Sequence, residues 1–157
     1  MTNLTTSIEV HINAPPHAVY GAITSADAVH YWMVPNDMTI HIHEFDATPG
    51  GNLRISLTYQ DRNSAGKTSA HTDTYHGCFV ELMAGQCVVQ VLKFETDDPT
   101  MQGEMTARFE MEPEDGGTKL TASHCNLPAG LSASDNETGW RIALRKLAAL
   151  VEGASAG

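Results

Sequence analysis

Histidines are the residues of this chain whose type and spacing could do chemistry. His41 and His43 stand two apart on an expected strand, so their rings point to one side and could chelate zinc if a third ligand approached. No Cys-x-x-Cys or His-x-x-x-His pair supplies that ligand, and Ile40 and Ile42 claim the opposite face for a core. A solvated histidine face is therefore the reading taken, with no metal site. His124, near Asn126, falls at an inward position, where it could act as a general base or orient a polar ligand. A buried histidine satisfied by a backbone carbonyl is the commoner arrangement. Tyr59 and Tyr75 are the phenols that could join it as acid-base groups.

Other chemistry has less to stand on. Cys78, Cys87 and Cys125 lack basic neighbours in sequence that would lower a thiol pKa. Glu44, Asp46, Glu104 and Glu110 read as a solvated sheet face. Nucleophile elbow, phosphate loop, dinucleotide fingerprint and metalloprotease helix motifs do not occur, so no catalytic residue and no cofactor is assigned.

The elements that must position these residues follow from periodicity. Ile8, Val10 and Ile12 alternate with polar residues as in a half-buried strand. Asn13 is placed as a helix cap, with Pro15 and Pro16 in a first turn that tolerates proline and Val19, Tyr20 and Ile23 as the apolar stripe. Ser25 opens a second short helix that ends near Trp32 and is stopped by Pro35. Turn chemistry then divides the chain into six strands, at about 39 to 46, 52 to 60, 71 to 82, 86 to 96, 102 to 112 and 117 to 126. Sequential hairpins of this kind make a mostly antiparallel sheet. Asp46-x-x-Pro49-Gly50-Gly51 is a tight structural turn in which Asp46 can bond nearby amides.

Ser134 and Glu137 read as a capping box that opens a long amphipathic helix. Trp140, Leu144, Leu147 and Val151 share one face of it, and Arg141, Arg145 and Glu152 another. Trp140 is expected as a core anchor, whereas Trp32 reads equally as an anchor or as a wall of the pocket mouth. Residues 153–157 have nothing to bury and are expected to fray. By strand alternation Met105, Ala107, Phe109, Leu120, Ala122 and His124 face inward, and Leu53, Ile55, Leu57 and Tyr59 share a face.

Composition bounds the rest. The 157 residues are expected to form a single domain, with a core over about 7 to 152. Nine basic against 19 acidic residues give a net charge of -10, which repels a phosphate backbone and an anionic membrane surface, so neither nucleic acid nor stable membrane insertion is expected. An odd cysteine count and an N-terminus without signal-peptide character favour a cytoplasmic protein with reduced thiols. The Asn-x-Thr sequons at Asn3 and Asn136 are then chance matches.

The motifs Ala14-Pro15-Pro16-x-x-Val19-Tyr20, Trp32-x-x-Pro35, Asp46-x-x-Pro-Gly-Gly51, Gly117-Thr118-x-Leu120-Thr121 and Gly139-Trp140-x-x-x-Leu144-x-x-Leu147 occur in this order over most of the chain. In that order they resemble the START-like helix-grip superfamily, and within it the activator of Hsp90 ATPase homologue 1-like branch. Tyr31-Trp32 departs from the Trp-Trp pair frequent in similar sequences.

The resemblance implies an α+β helix-grip fold: a curved antiparallel sheet of about seven strands wrapped around a long C-terminal helix, with two short helices after the first strand. It also implies a cavity between sheet and helix of roughly 300 to 1,000 Å³. Its expected lining is Trp32, Leu53, Ile55, Leu57, Tyr59, Tyr75, Met105, Phe109, Leu120, His124, Trp140 and Leu144. The superfamily holds polyketide cyclases, lipid carriers and hormone receptors, so fold alone does not select a function. The function expected is non-enzymatic binding of a hydrophobic or amphipathic small molecule, in a stand-alone domain of bacterial type. The alternatives are a cyclase or hydrolase that uses His124 with Tyr59 or Tyr75, and a stress or chaperone-associated protein partner. A homodimer is left open.

Overall fold

The computed structural model describes residues 4–33, 38–59, 72–130 and 133–156. Strand β1 (Leu4–Ile12) leads into helices α1 (Pro16–Ile23) and α2 (Ala26–Trp32). Strands β2 (Met38–Phe45), β3 (Asn52–Tyr59), β4 (Thr72–Met83), β5 (Cys87–Phe94), β6 (Met105–Glu114) and β7 (Gly117–Leu127) follow, and α3 (Ala133–Ala156) closes the chain. The seven strands form one antiparallel sheet in the order β1-β7-β6-β5-β4-β3-β2. The α+β helix-grip architecture is thus present. The two short helices carry the chain from β1 at one edge of the sheet to β2 at the other, so these two strands, consecutive in sequence, never pair.

Three register shifts accompany the curvature, because an extra residue on one strand bends it and increases its twist. They fall at His43 against β3, at Val80 against β5, and at the end of β7, where Asn126 takes a φ of 59°. The turn between β2 and β3 is closed by main-chain bonds: the Gly50 amide donates to the Phe79 carbonyl at 2.7 Å and the Gly51 amide to the Thr48 carbonyl at 2.7 Å. A Cβ on Gly51 would overlap the Asp46 carbonyl oxygen, so this close approach requires glycine. The Asp46 carboxylate accepts the Thr48 hydroxyl at 2.9 Å, rather than the amides expected of it.

Several local expectations are corrected. Pro15, not Asn13, is the cap residue of α1, and no side chain bonds there. Asn13 instead donates its main-chain amide to Glu152 at 2.9 Å, which ties the C-terminal helix to the end of β1. Ser25 does cap α2, accepting from the Ala28 amide at 3.4 Å. Ser134 lies inside the first turn of α3, where its carbonyl accepts the Thr138 hydroxyl at 3.0 Å, and Glu137 pairs with Arg141 at 3.7 Å; the capping box does not form. The backbone of α3 is helical through Ala156. β6 begins at Met105 rather than near 102 because a 3₁₀ turn, Pro99–Met101, intervenes, with Asp98 accepting from the Thr100 amide at 3.0 Å. Pro35, the Asp61–Gly66 turn and His71 lie outside the described residues.

The core sits between the concave face of the sheet and the three helices. Ile12, Val19, Ile23, Phe109, Leu120, Leu144 and Leu147 are almost wholly enclosed there. Trp32 is 1% exposed, donates its indole N–H to the Ala22 carbonyl at 2.9 Å and meets Phe109 edge to face at 6.3 Å, which makes it an anchor. No helix among the described residues is long and apolar enough to cross a membrane.

Candidate functional site

Beneath the first half of α3 the sheet and helix part, leaving a cavity of about 230 Å³. Leu57 of β3, Tyr75 of β4, Leu92 and Phe94 of β5, Met105 of β6 and Met33 after α2 form its apolar wall, and Trp140, Gly139 and Ala143 close it from α3. Over this stretch the helix presents two small residues and one ring, whereas Leu144 and Leu147 beyond it are fully buried in the core. The volume lies below the roughly 300 to 1,000 Å³ expected of a drug-sized site, so it suits a small ligand.

Sparse polar groups interrupt this wall: Asp73, Gln90, His124, Asp135 and Asn136. No lysine or arginine among the described residues lines it. Asp73 is 3% exposed, and Gln90 and His124 are 8% exposed each. The His124 ring is held by a chain of hydrogen bonds. The Thr6 hydroxyl donates to Asn136 Oδ1 at 2.7 Å, Asn136 Nδ2 donates to His124 Nδ1 at 3.2 Å, and Trp140 Nε1 approaches the same nitrogen at 3.4 Å. An indole nitrogen can only donate, so Nδ1 is the acceptor and the proton of the neutral ring resides on Nε2. That Nε2 is sealed from solvent and has no hydrogen-bond partner among the described residues. Burial, partly opposed by the Asn136 bond, lowers the His124 pKa to about 4, so the ring is neutral at pH 7. Burial also pushes the Tyr75 phenol up, keeping it protonated.

Of the residues proposed from sequence, Leu57, Tyr75, Met105, His124 and Trp140 meet at the cavity. Trp32, Leu53, Ile55 and Phe109 surround a separate void of only about 10 Å³ and pack the core. Leu120 and Leu144 are fully buried and border neither space. The side chain of Tyr59 lies outside the described residues. Trp140, expected as an anchor, is instead half-buried: it stands against Phe109 at 5.5 Å and His124 at 6.1 Å and forms cavity wall. His124 is bonded by side chains of α3, not by a backbone carbonyl. Gln90 and Asp73 were missed, although each is a polar residue at an inward register position of a strand, a signal present in the sequence.

The other candidates lie elsewhere. His41 and His43 touch edge to face at 4.3 Å, and His43 bonds Ser56 at 2.8 Å. No group of three or more metal-ligating side chains occurs among the described residues. Glu44, Asp46, Glu104 and Glu110 are exposed. Burial first, then the Glu81 carboxylate 3.0 Å away, raises the Cys87 thiol to about 11, the opposite of activation.

The family model described as activator of Hsp90 ATPase homolog 1-like protein matches residues 13–152, and so includes every described residue of the cavity wall. The chain belongs to this family. Among solved structures, this chain is similar to a Chromobacterium violaceum protein at 26% identity and a TM-score of 0.84, with 94% of this chain and 96% of that one covered. A Rhodobacter sphaeroides protein at 18% identity and a TM-score of 0.79 covers 96% of this chain and 93% of its own. An AHSA1-like protein of Aeromonas hydrophila, at 20% identity and a TM-score of 0.72, covers 98% and 96%. The latter two likenesses concern the fold alone. No curated protein matches the sequence.

Proposed function

We propose that this activator-like domain binds a small hydrophobic or amphipathic molecule, without chemistry, between its sheet and its C-terminal helix. The observation that carries this reading is the cavity of about 230 Å³, walled by aromatic and apolar side chains with a few placed polar groups. An acid-base enzyme is less well supported. His124 accepts at Nδ1 and carries its proton on Nε2, so it offers no free basic nitrogen, and its pKa of about 4 makes it a weak base. A chaperone-partner role needs an apolar surface patch of several hundred Å². The large exposed apolar side chains among the described residues are Tyr31 on α2 with Val80 and Met83 on β4.

A thermal-shift screen against fatty acids, sterols, aromatic polyketides and flavonoids tests the proposal. A ligand at about 100 times its dissociation constant adds roughly 2.7 kcal/mol, which moves the midpoint by about 5 to 10 °C. A selective shift by one class supports ligand binding and defines its chemistry. No shift from any class counts against it and transfers weight to the protein-partner reading.

A further inference from the structure

The strand register places two polar groups of the cavity, His124 and Gln90, in one row with Thr6. Thr6 of β1 lies opposite His124 of β7, His124 opposite Ala107 of β6, and Ala107 opposite Gln90 of β5. Adjacent strands are about 4.8 Å apart, so His124 and Gln90 stand roughly 9.6 Å apart at the backbone, with only the Ala107 methyl group between them. Three of these four residues are polar and all four are buried, in a face that is otherwise mostly apolar. Thr6 is used up in fixing Asn136. His124 Nε2–H is left as a donor without a partner among the described residues. Burying such a donor is costly, and a native structure that keeps one has a reason to do so.

We propose that His124 Nε2–H and the Gln90 amide form a recognition subsite, seated over Ala107, for the carbonyl oxygen of a neutral ring-bearing ligand. This rests on the ligand-binding reading above. Three features define the chemistry. The Trp140 indole and Asn136 lock the imidazole so that it presents a donor, which matches an acceptor oxygen. Trp140, Tyr75 and Phe94 offer rings for an aromatic or alicyclic body. With no lysine or arginine among the described lining residues to pair with it, a carboxylate ligand such as a fatty acid is disfavoured. Because Nε2 is sealed from solvent in this structure, reaching it takes a side-chain adjustment, for which Gln90 and Met105 have the rotatable bonds.

The test compares three probes of one size, acetophenone, ethylbenzene and benzoate, titrated at pH 7 while the ring ¹⁵N–¹H signals of His124 and Trp140 are followed by NMR. In the unliganded protein His124 is expected as the Nε2–H tautomer. Acetophenone is expected to shift the Nε2–H proton downfield, ethylbenzene to bind without that shift, and benzoate to bind at least about tenfold more weakly than acetophenone. The acetophenone-to-ethylbenzene affinity ratio is expected to fall about tenfold in His124→Phe and severalfold in Gln90→Leu, the size of one hydrogen bond. An unchanged ratio in both variants overturns the subsite and leaves cavity binding standing. Failure of all three probes to bind overturns the cavity reading and the subsite together. An Nδ1–H tautomer, or no shift of Nε2–H with bound acetophenone, overturns the subsite in the unaltered protein, whatever the variants do.

Discussion

Two polar clusters lie on opposite faces of the same sheet and are built differently. On the outer face Glu95 accepts Arg54 Nε at 2.7 Å and Nη2 at 2.9 Å and pairs with His76 at 3.0 Å. Beside it Ser56 links His43 at 2.8 Å to Thr74 at 2.7 Å. The bonds are short and Arg54 engages with two nitrogens. On the inner face the chain through Thr6, Asn136, His124 and Trp140 has longer bonds to His124, at 3.2 and 3.4 Å, and ends in a donor with no partner among the described residues. The outer cluster is what a sheet does with polar residues in water. The inner one tolerates a desolvation cost that water would remove, and that asymmetry points to the inner face for function.

Predictions that break or sharpen this contrast run from large to small. Leu147→Ala, on the filled side of α3, is expected to cost about 2 to 5 kcal/mol by chemical denaturation, whereas Leu57→Ala, on the half-buried cavity wall, costs about 1 kcal/mol. Equal losses would mean that the two halves of the interior are packed alike.

The second prediction is a pH dependence. Folded His124 titrates near 4 against an ordinary 6.5, so as pH falls the unfolded chain takes up the proton first. The His124 contribution is therefore expected to lower stability from about pH 6.5 and to level off below pH 4, by about 3 kcal/mol in all. Denaturation of His124→Phe across this range is expected to lack that slope.

The outer cluster titrates in a different window. The Arg54 hydrogen bonds, and then His76, hold Glu95 down to about 2 from 4.5, so its contribution is present above pH 4.5 and is lost between 4.5 and 2. Solvent screening keeps it small: Glu95→Gln is expected to cost about 1 kcal/mol at pH 7 and close to nothing at pH 2. A larger loss at pH 7 than the whole His124 effect would reverse the ranking of the two faces. The last prediction concerns Ala143→Leu, which adds side-chain volume to the cavity. It should alter stability by less than about 1.5 kcal/mol while abolishing binding of acetophenone, read by the same NMR titration. Retained binding would place the ligand elsewhere.

Much of the fold was legible because periodicity and turn chemistry act locally. Ile8, Val10 and Ile12 alternate as a half-buried strand must, and Leu144, Leu147 and Val151 recur at helical spacing on the buried face of α3. The candidate site was legible in part. Met105 and His124 fall inward by alternation, yet nothing along the chain says that His124 meets Asn136 and Trp140. Leu53, Ile55 and Phe109 have the same pattern as Leu57 and Met105 but pack the core, since alternation reports a face of the sheet and not whether a helix reaches it. Trp140 has the spacing of an anchor; Gly139 and Ala143 beside it leave the room that makes it a wall.

What the sequence determined by itself is therefore the elements, their inward faces and their order, because side-chain alternation, helical spacing and glycine or proline turns are short-range physics. What only the tertiary structure decided is the pairing of β1 with β7, the place where sheet and helix part, and the tautomer of His124. Each of these depends on residues more than ten positions apart arriving at one point, and the chain records no distance between such residues until curvature and packing bring them together.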